Sequence, residues 1–160
     1  MPDTTSYVDP RGSRFAAWVT TAVLSAVLLT GSALLLAVQT AVFVAGAALG
    51  MAHAPYGRLF RLVRRITGTG PAAELEAEPP LRFAQAVGAA FGVVGTAGYL
   101  AGVPALGATV TALALAAAFL NAAFGVCLGC EIYLIVRRAL GRAALARFVP
   151  ARTTIERSSA

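Results

Sequence analysis

The sequence predicts an all-α polytopic membrane protein. Four transmembrane helices are expected as two helical hairpins, with a short amphipathic helix lying at the interface between them. Three observations carry this reading. The 160-residue chain is 58% hydrophobic and only 12% charged, where soluble domains carry roughly 25%. Its charges are segregated: no Asp, Glu, Lys or Arg occurs from Phe15 to Gly57, nor from Phe83 to Cys130. All thirteen basic residues are arginine, and all lie outside those two deserts.

A spanning helix needs about 20 apolar residues, so each desert holds two spans joined by a tight turn. Thr30-Gly31-Ser32 breaks the first desert; Gly98-Tyr99 and Gly102-Val103-Pro104 break the second. The expected spans are Phe15–Leu29, Ala33–Ala52, Phe83–Leu100 and Leu106–Val136. They form a single membrane domain over 1–160: hairpin one at 15–52, an interfacial helix and acidic loop at 55–81, hairpin two at 83–136, and a cytoplasmic tail at 139–160. Helices of a soluble bundle would each need a polar face toward water, and these have none.

The arginines set the orientation. Arg11 and Arg14 precede span one, and Arg58, Arg61, Arg64 and Arg65 follow span two. Arg82 precedes span three, and Arg137, Arg138, Arg142 and Arg147 follow span four, whereas the turns at the other membrane face carry no charge. By the positive-inside rule both termini and the central loop are cytoplasmic. The chain is thus expected as a multi-pass protein of the cell inner (plasma) membrane. Span one follows a short polar segment without a small-residue cleavage site, so it reads as an anchor rather than a signal peptide. The net charge of +6 is spread over juxtamembrane segments, which fits anionic headgroups of the lipid bilayer as partner rather than nucleic acid.

Between the hairpins, Leu59, Phe60, Leu62 and Val63 alternate with Arg58, Arg61, Arg64 and Arg65. That pattern suits a helix from Pro55 to Arg65 lying in the headgroup layer. Thr67-Gly68-Thr69-Gly70-Pro71 ends it, and Glu74, Glu76 and Glu78 form an acidic linker expected to pair loosely with nearby arginines. The last dozen residues, with Thr153, Thr154, Ser158 and Ser159, read as a disordered tail. The halves resemble each other: Arg14-Phe15-Ala16 matches Arg82-Phe83-Ala84, and Leu62-Val63-Arg64-Arg65 matches Ile135-Val136-Arg137-Arg138. Gly46 with Gly50, and Gly88 with Gly92, each form a G-x-x-x-G. Such faces let helices approach closely, either within the chain or in a homo-oligomer.

The only cysteines, Cys127 and Cys130, form one C-x-x-C motif in the apolar stretch of span four. On a continuous helix they share a face, with Cα atoms about 5 Å apart, within reach of a disulfide. Counting back from Arg137 at 1.5 Å per residue, they lie about 10 and 15 Å below the cytoplasmic interface. Reactive pairs of this kind favour the thiolate at a helix N-terminus or beside a cation. Here the motif falls toward the C-terminal end of the expected span, where the dipole opposes it, unless Gly125 and Gly129 break the helix. The motif is therefore either a functional thiol pair or inert packing.

Glu131 is the only acid bordering a span. An ionisable group at such depth is a functional candidate, here as proton acceptor for Cys127 on the same face. Its alternative is a salt bridge to Arg58, Arg61 or Arg82. His53, the only histidine, joins the cysteines in a soft-metal or acid–base site on one reading and caps a helix end on the other. A zinc site would lack a fourth ligand unless Glu131 supplied it, and no metal or other cofactor is expected. Gln39, Gln85 and Asn121 are expected to hydrogen-bond between helices. No phosphate-binding glycine loop, serine nucleophile constellation or carboxylate pair is present.

Taken as motifs, Val8-Asp9-Pro10-Arg11, Arg14-Phe15-Ala16, His53-Ala54-Pro55-Tyr56-Gly57, Pro80-Leu81-Arg82-Phe83-Ala84-Gln85 and Cys127-Leu128-Gly129-Cys130-Glu131-Ile132-Tyr133 resemble domain-of-unknown-function family 4395, a bacterial membrane family. The resemblance covers Val8 to Arg138, and its most specific part is Cys127–Tyr133. It implies a link to thioredoxin-like or sulfur-transfer proteins, and no catalytic residue follows from it. The leading expectation is a membrane thiol-redox or sulfur-transfer component. Cys127 and Cys130 would exchange disulfide or carry persulfide sulfur, assisted by Glu131 and His53, with a cytoplasmic thioredoxin-like or rhodanese-like protein docking on the arginine-rich face. A non-enzymatic membrane scaffold packing through its small-residue faces is the alternative, and a transporter of small sulfur species or soft metal the third.

Overall fold

The computed structural model describes residues 6–68, 70–141 and 145–151. Among these, six helices and three short strands follow the order β1 (Tyr7–Val8), α1 (Pro10–Thr30), α2 (Ala33–Leu49), α3 (Pro55–Thr67), β2 (Glu74–Ala77), α4 (Glu78–Leu100), α5 (Pro104–Phe124), α6 (Leu128–Ala139) and β3 (Phe148–Pro150). The mostly helical class stands. By length and composition α1, α4 and α5 are apolar enough to cross a membrane, and α2 is apolar but shorter.

Local chemistry sets the boundaries. The Asp9 side chain caps α1 by accepting from the backbone N–H of Arg11 at 2.9 Å, and Pro10 opens the helix with a φ already suited to it. Gly31 ends α1 at φ 64°, a left-handed conformation that favours glycine, and Ser32 immediately caps α2 through the N–H of Leu35. Helices α1 and α4 therefore begin earlier than the expected Phe15 and Phe83, because a proline sits in the first turn of each. The helix expected from Pro55 to Arg65 stands as α3, with its arginines interleaved among apolar residues and Gly68 at φ 64° as its stop.

Span four departs most from expectation. The single helix expected over Leu106–Val136 is two helices, α5 and α6, separated by Gly125, Val126 and Cys127. Gly125 takes φ 70° and its N–H closes on the carbonyl of Asn121, so the chain leaves α5 by a glycine cap and starts afresh three residues later.

Helix α2 packs mainly on α4, α1 on α5, and α5 on α4, while α3 leans on α1 and α6 on α4. Both G-x-x-x-G faces meet at the α2–α4 contact. A Cβ on Gly46 would lie 2.9 Å from Gln85 Oε1, and one on Gly92 would lie 2.1 Å from Thr40 Oγ1. The small residues thus serve close packing inside the chain.

The strands are an addition to the expected all-α architecture. They form one antiparallel sheet in the order β1-β2-β3, pairing Tyr7 with Ala77 and Leu75 with Val149. The supposed loose acidic linker is the central strand. Glu76 is 1% exposed, accepts from the Ser13 hydroxyl at 2.8 Å and pairs with Arg147 at 2.9 Å. Glu78 accepts from the N–H of Met51 and from the Ser6 hydroxyl. The sheet brings the N-terminal segment, the central linker and residues 148–150 to one end of the bundle. Thr153, Thr154, Ser158 and Ser159 of the expected disordered tail lie outside the described residues.

Candidate functional site

Two arginines do the same work in the two halves of the chain. Arg14, the fifth residue of α1, reaches the carbonyls of Ala122 and Ala123 at the end of α5. Arg82, the fifth residue of α4, reaches those of Ala47 and Ala48 at the end of α2. Each places positive charge on carbonyls left unpaired at a helix C-terminus. The next residue in each half stacks on the short helix: Phe15 on Phe60 of α3, and Phe83 on Tyr133 of α6.

Within that correspondence the N-cap of α3 is Ala54 and the N-cap of α6 is Cys127. Three residues on stand Gly57 and Cys130. A Cβ on Gly57 would lie 1.8 Å from the carbonyl oxygen of Met51, so the first half has no room for the second cysteine. The C-x-x-C is a feature of one half only.

Cys127 and Cys130 are joined as a disulfide, with Cα atoms 5.2 Å apart. The Cys127 sulfur accepts from the backbone N–H of Cys130 at 3.3 Å and so caps α6. The motif therefore occupies the first turn of a helix, the reverse of the C-terminal placement expected from a continuous span four. Backbone N–H groups and the positive end of the dipole there favour a thiolate once the bond is reduced. Burial opposes this. Cys127 is 5% and Cys130 0% exposed, in a core cluster with Ala16, Met51 and Leu81. Gly129 lets the turn press against α4, since a Cβ there would meet the Cα of Ala84 at 2.7 Å.

Glu131 follows in the same turn, half exposed, and pairs with Arg147 at 3.1 Å. Its ion pair is thus real, but the partner is not Arg58, Arg61 or Arg82, because β3 carries residue 147 back over the site. Arg147 also bonds Glu76 and the carbonyl of Gly125. One guanidinium thereby ties the central strand, the end of α5 and the start of α6. Sequence reasoning missed this residue, whose contacts span 16 to 71 positions, and no local pattern announces them.

His53 is exposed in the turn before α3, its N–H bonded to the carbonyl of Gly50. Among the described residues no group of three or more His, Cys, Asp or Glu could hold a metal ion, so His53, Cys127, Cys130 and Glu131 do not assemble one. Gln39 does join helices: its amide reaches Thr20 Oγ1 at 3.4 Å, and its carbonyl accepts from the Tyr56 hydroxyl at 2.5 Å. Gln85 and Asn121 instead line an apolar cavity of about 350 Å³ between α1, α4 and α5, and Cys127 forms part of its wall.

A family model described as a domain of unknown function (DUF4395) matches residues 8–138. No curated protein and no solved structure matches.

Proposed function

The chain belongs to the domain-of-unknown-function family DUF4395, and we propose that this member is a membrane thiol–disulfide exchange component working through Cys127 and Cys130. The observation that carries the reading is the disulfide in the first turn of α6, where N–H groups and dipole favour the thiolate that exchange requires. A partner thiolate attacks one sulfur and forms a mixed disulfide. The partner's second thiol then displaces it, leaving the partner oxidised and both cysteines as thiols. The bonded state of the pair favours exchange over persulfide carriage, which needs a free thiol.

The proposed topology has four spans, as two hairpins with cytoplasmic ends, in the plasma membrane. Strands β1, β2 and β3 share one sheet, which supports an even number of crossings between each pair of them. Helix α2 is then the return span, at 17 residues about 26 Å long, against a hydrocarbon core of about 30 Å. The arginine bias supports a cytoplasmic sheet end. A thioredoxin-like protein would meet the exposed arginines of α3 and the apolar rim Phe124, Val126 and Leu128 beside the disulfide. Glu131, ion-paired with Arg147, would take up a proton as the pair cycles.

The test is trapping. The purified chain in lipid nanodiscs is mixed with a thioredoxin lacking its resolving cysteine, quenched in acid and analysed by peptide mass. A mixed disulfide on Cys127 or Cys130, absent from the Cys127→Ser/Cys130→Ser variant, supports exchange. An unchanged internal disulfide overturns it.

A further inference from the structure

The disulfide is almost sealed from water, yet Cys127 forms part of the wall of a cavity of about 350 Å³. Most of the other walls come from α1, α4 and α5, the three helices able to cross a membrane, and Phe43 of α2 with Leu128, Gly129 and Ile132 of α6 completes them. They are nearly all apolar, with Phe91 and Ala117 among them, and the carboxamides of Gln85 and Asn121 add hydrogen-bonding groups. Leu113 and Ile132 also line the cavity and are themselves 57% and 49% exposed, so its wall reaches the lipid-facing surface. The volume falls in the range of small-molecule sites, about 300–1,000 Å³, which are apolar with a few placed polar groups.

Small size, lipid solubility, hydrogen-bond acceptors and the capacity to take two electrons from a dithiol together describe a quinone head group. We infer that the cavity binds a membrane quinone, which reoxidises the reduced Cys127–Cys130 pair. Resting on the thiol–disulfide reading above, this names the electron acceptor. In the step, both S–H bonds break and the S–S bond forms. The two electrons reduce the quinone, and the two released protons end on its oxygens, giving one quinol per disulfide. Cys127 faces the quinone, and Cys130, fully buried beneath it, supplies the second sulfur. Carboxamide N–H groups of Gln85 and Asn121 bond the carbonyls that become hydroxyls.

The test uses the full chain in nanodiscs, reduced and freed of reductant without oxygen. Duroquinone is the probe, since its ring has no free position for irreversible arylation. Wild type should re-form the disulfide with one quinol released per chain. Ala117→Phe, which adds bulk to the α5 wall of the cavity and leaves both cysteines in the chain, should slow this by at least about tenfold, the scale on which an apolar pocket rejects excess bulk. Oxidation by diamide, a water-soluble thiol oxidant, should stay unchanged in both. If wild type is oxidised by diamide but not by duroquinone, or if Ala117→Phe reacts with duroquinone at the wild-type rate, the quinone site is wrong and the cavity holds only lipid chains. If neither oxidant re-forms the disulfide in wild type, the thiol reading itself fails.

Discussion

The sulfur of Cys127 accepts a hydrogen bond from the backbone N–H of Cys130, so one half of the disulfide is also the cap of the helix that carries the other half. Redox state and helix start are thereby linked at one atom. The link depends on Gly125, whose left-handed φ of 70° ends α5 and lets α6 begin within the same apolar run.

A first prediction separates the cap from the redox role. Cys127→Ser keeps a capping oxygen, whereas Cys127→Ala removes it, and neither forms a disulfide. The alanine variant should be less stable by about 1 kcal/mol, the usual worth of an N-cap side chain. Denaturant midpoints in one detergent, under reductant, compare the two; equal midpoints would show that the cap does not matter.

Arg147→Ala should be strongly destabilising. It strands Glu76, which is 1% exposed, and frees Glu131 and the Gly125 carbonyl together. Breaking one side of a buried ion pair costs about 3–5 kcal/mol. Adding Glu76→Gln removes the stranded charge, so the double variant should regain part of the loss in a thermal melt. No recovery would mean that Arg147 acts through some other contact.

Gly92→Leu should abolish the folded chain, because even a Cβ there would lie 2.1 Å from Thr40 Oγ1. Val93, one residue on and 58% exposed, faces outward, and Val93→Leu should stay within about 0.5 kcal/mol of wild type. Size-exclusion profiles in detergent distinguish the two. A well-folded Gly92→Leu chain would contradict the α2–α4 packing.

Reporters fused to the N-terminus and to the C-terminus should lie on the same side of the membrane, the cytoplasmic one. The shared sheet supports the same side, and the arginine bias favours the cytoplasmic one. Opposite readings would remove α2 as a return span.

The long apolar helices α1, α4 and α5 were legible because the two charge-free deserts record them residue by residue. The break at Gly125–Cys127 was legible only as an alternative, carried by Gly125 and Gly129. Val126, Leu128 and Ile132 keep the stretch apolar, and hydropathy does not register a cap inside an apolar run. That one break turns the dipole around at the cysteines. The strands of the small sheet were equally hidden, being two to four residues long and paired across 68 to 76 positions in register. Glu131 was legible as an ion-pair member, but its partner was not, because residue 147 arrives through that sheet. His53 read either as a partner of the cysteines in a soft-metal or acid–base site or as a helix cap. It comes one residue before the N-cap of α3, and the cap position itself holds Ala54.

The most direct test is a redox titration of Cys127 and Cys130 in the bilayer. The chain in nanodiscs is equilibrated across graded ratios of reduced to oxidised dithiothreitol, acid-quenched, alkylated and weighed. The account predicts one reversible two-electron transition between chains with no free thiol and chains with two. A pair that keeps the same state across the whole range, in either form, would contradict it.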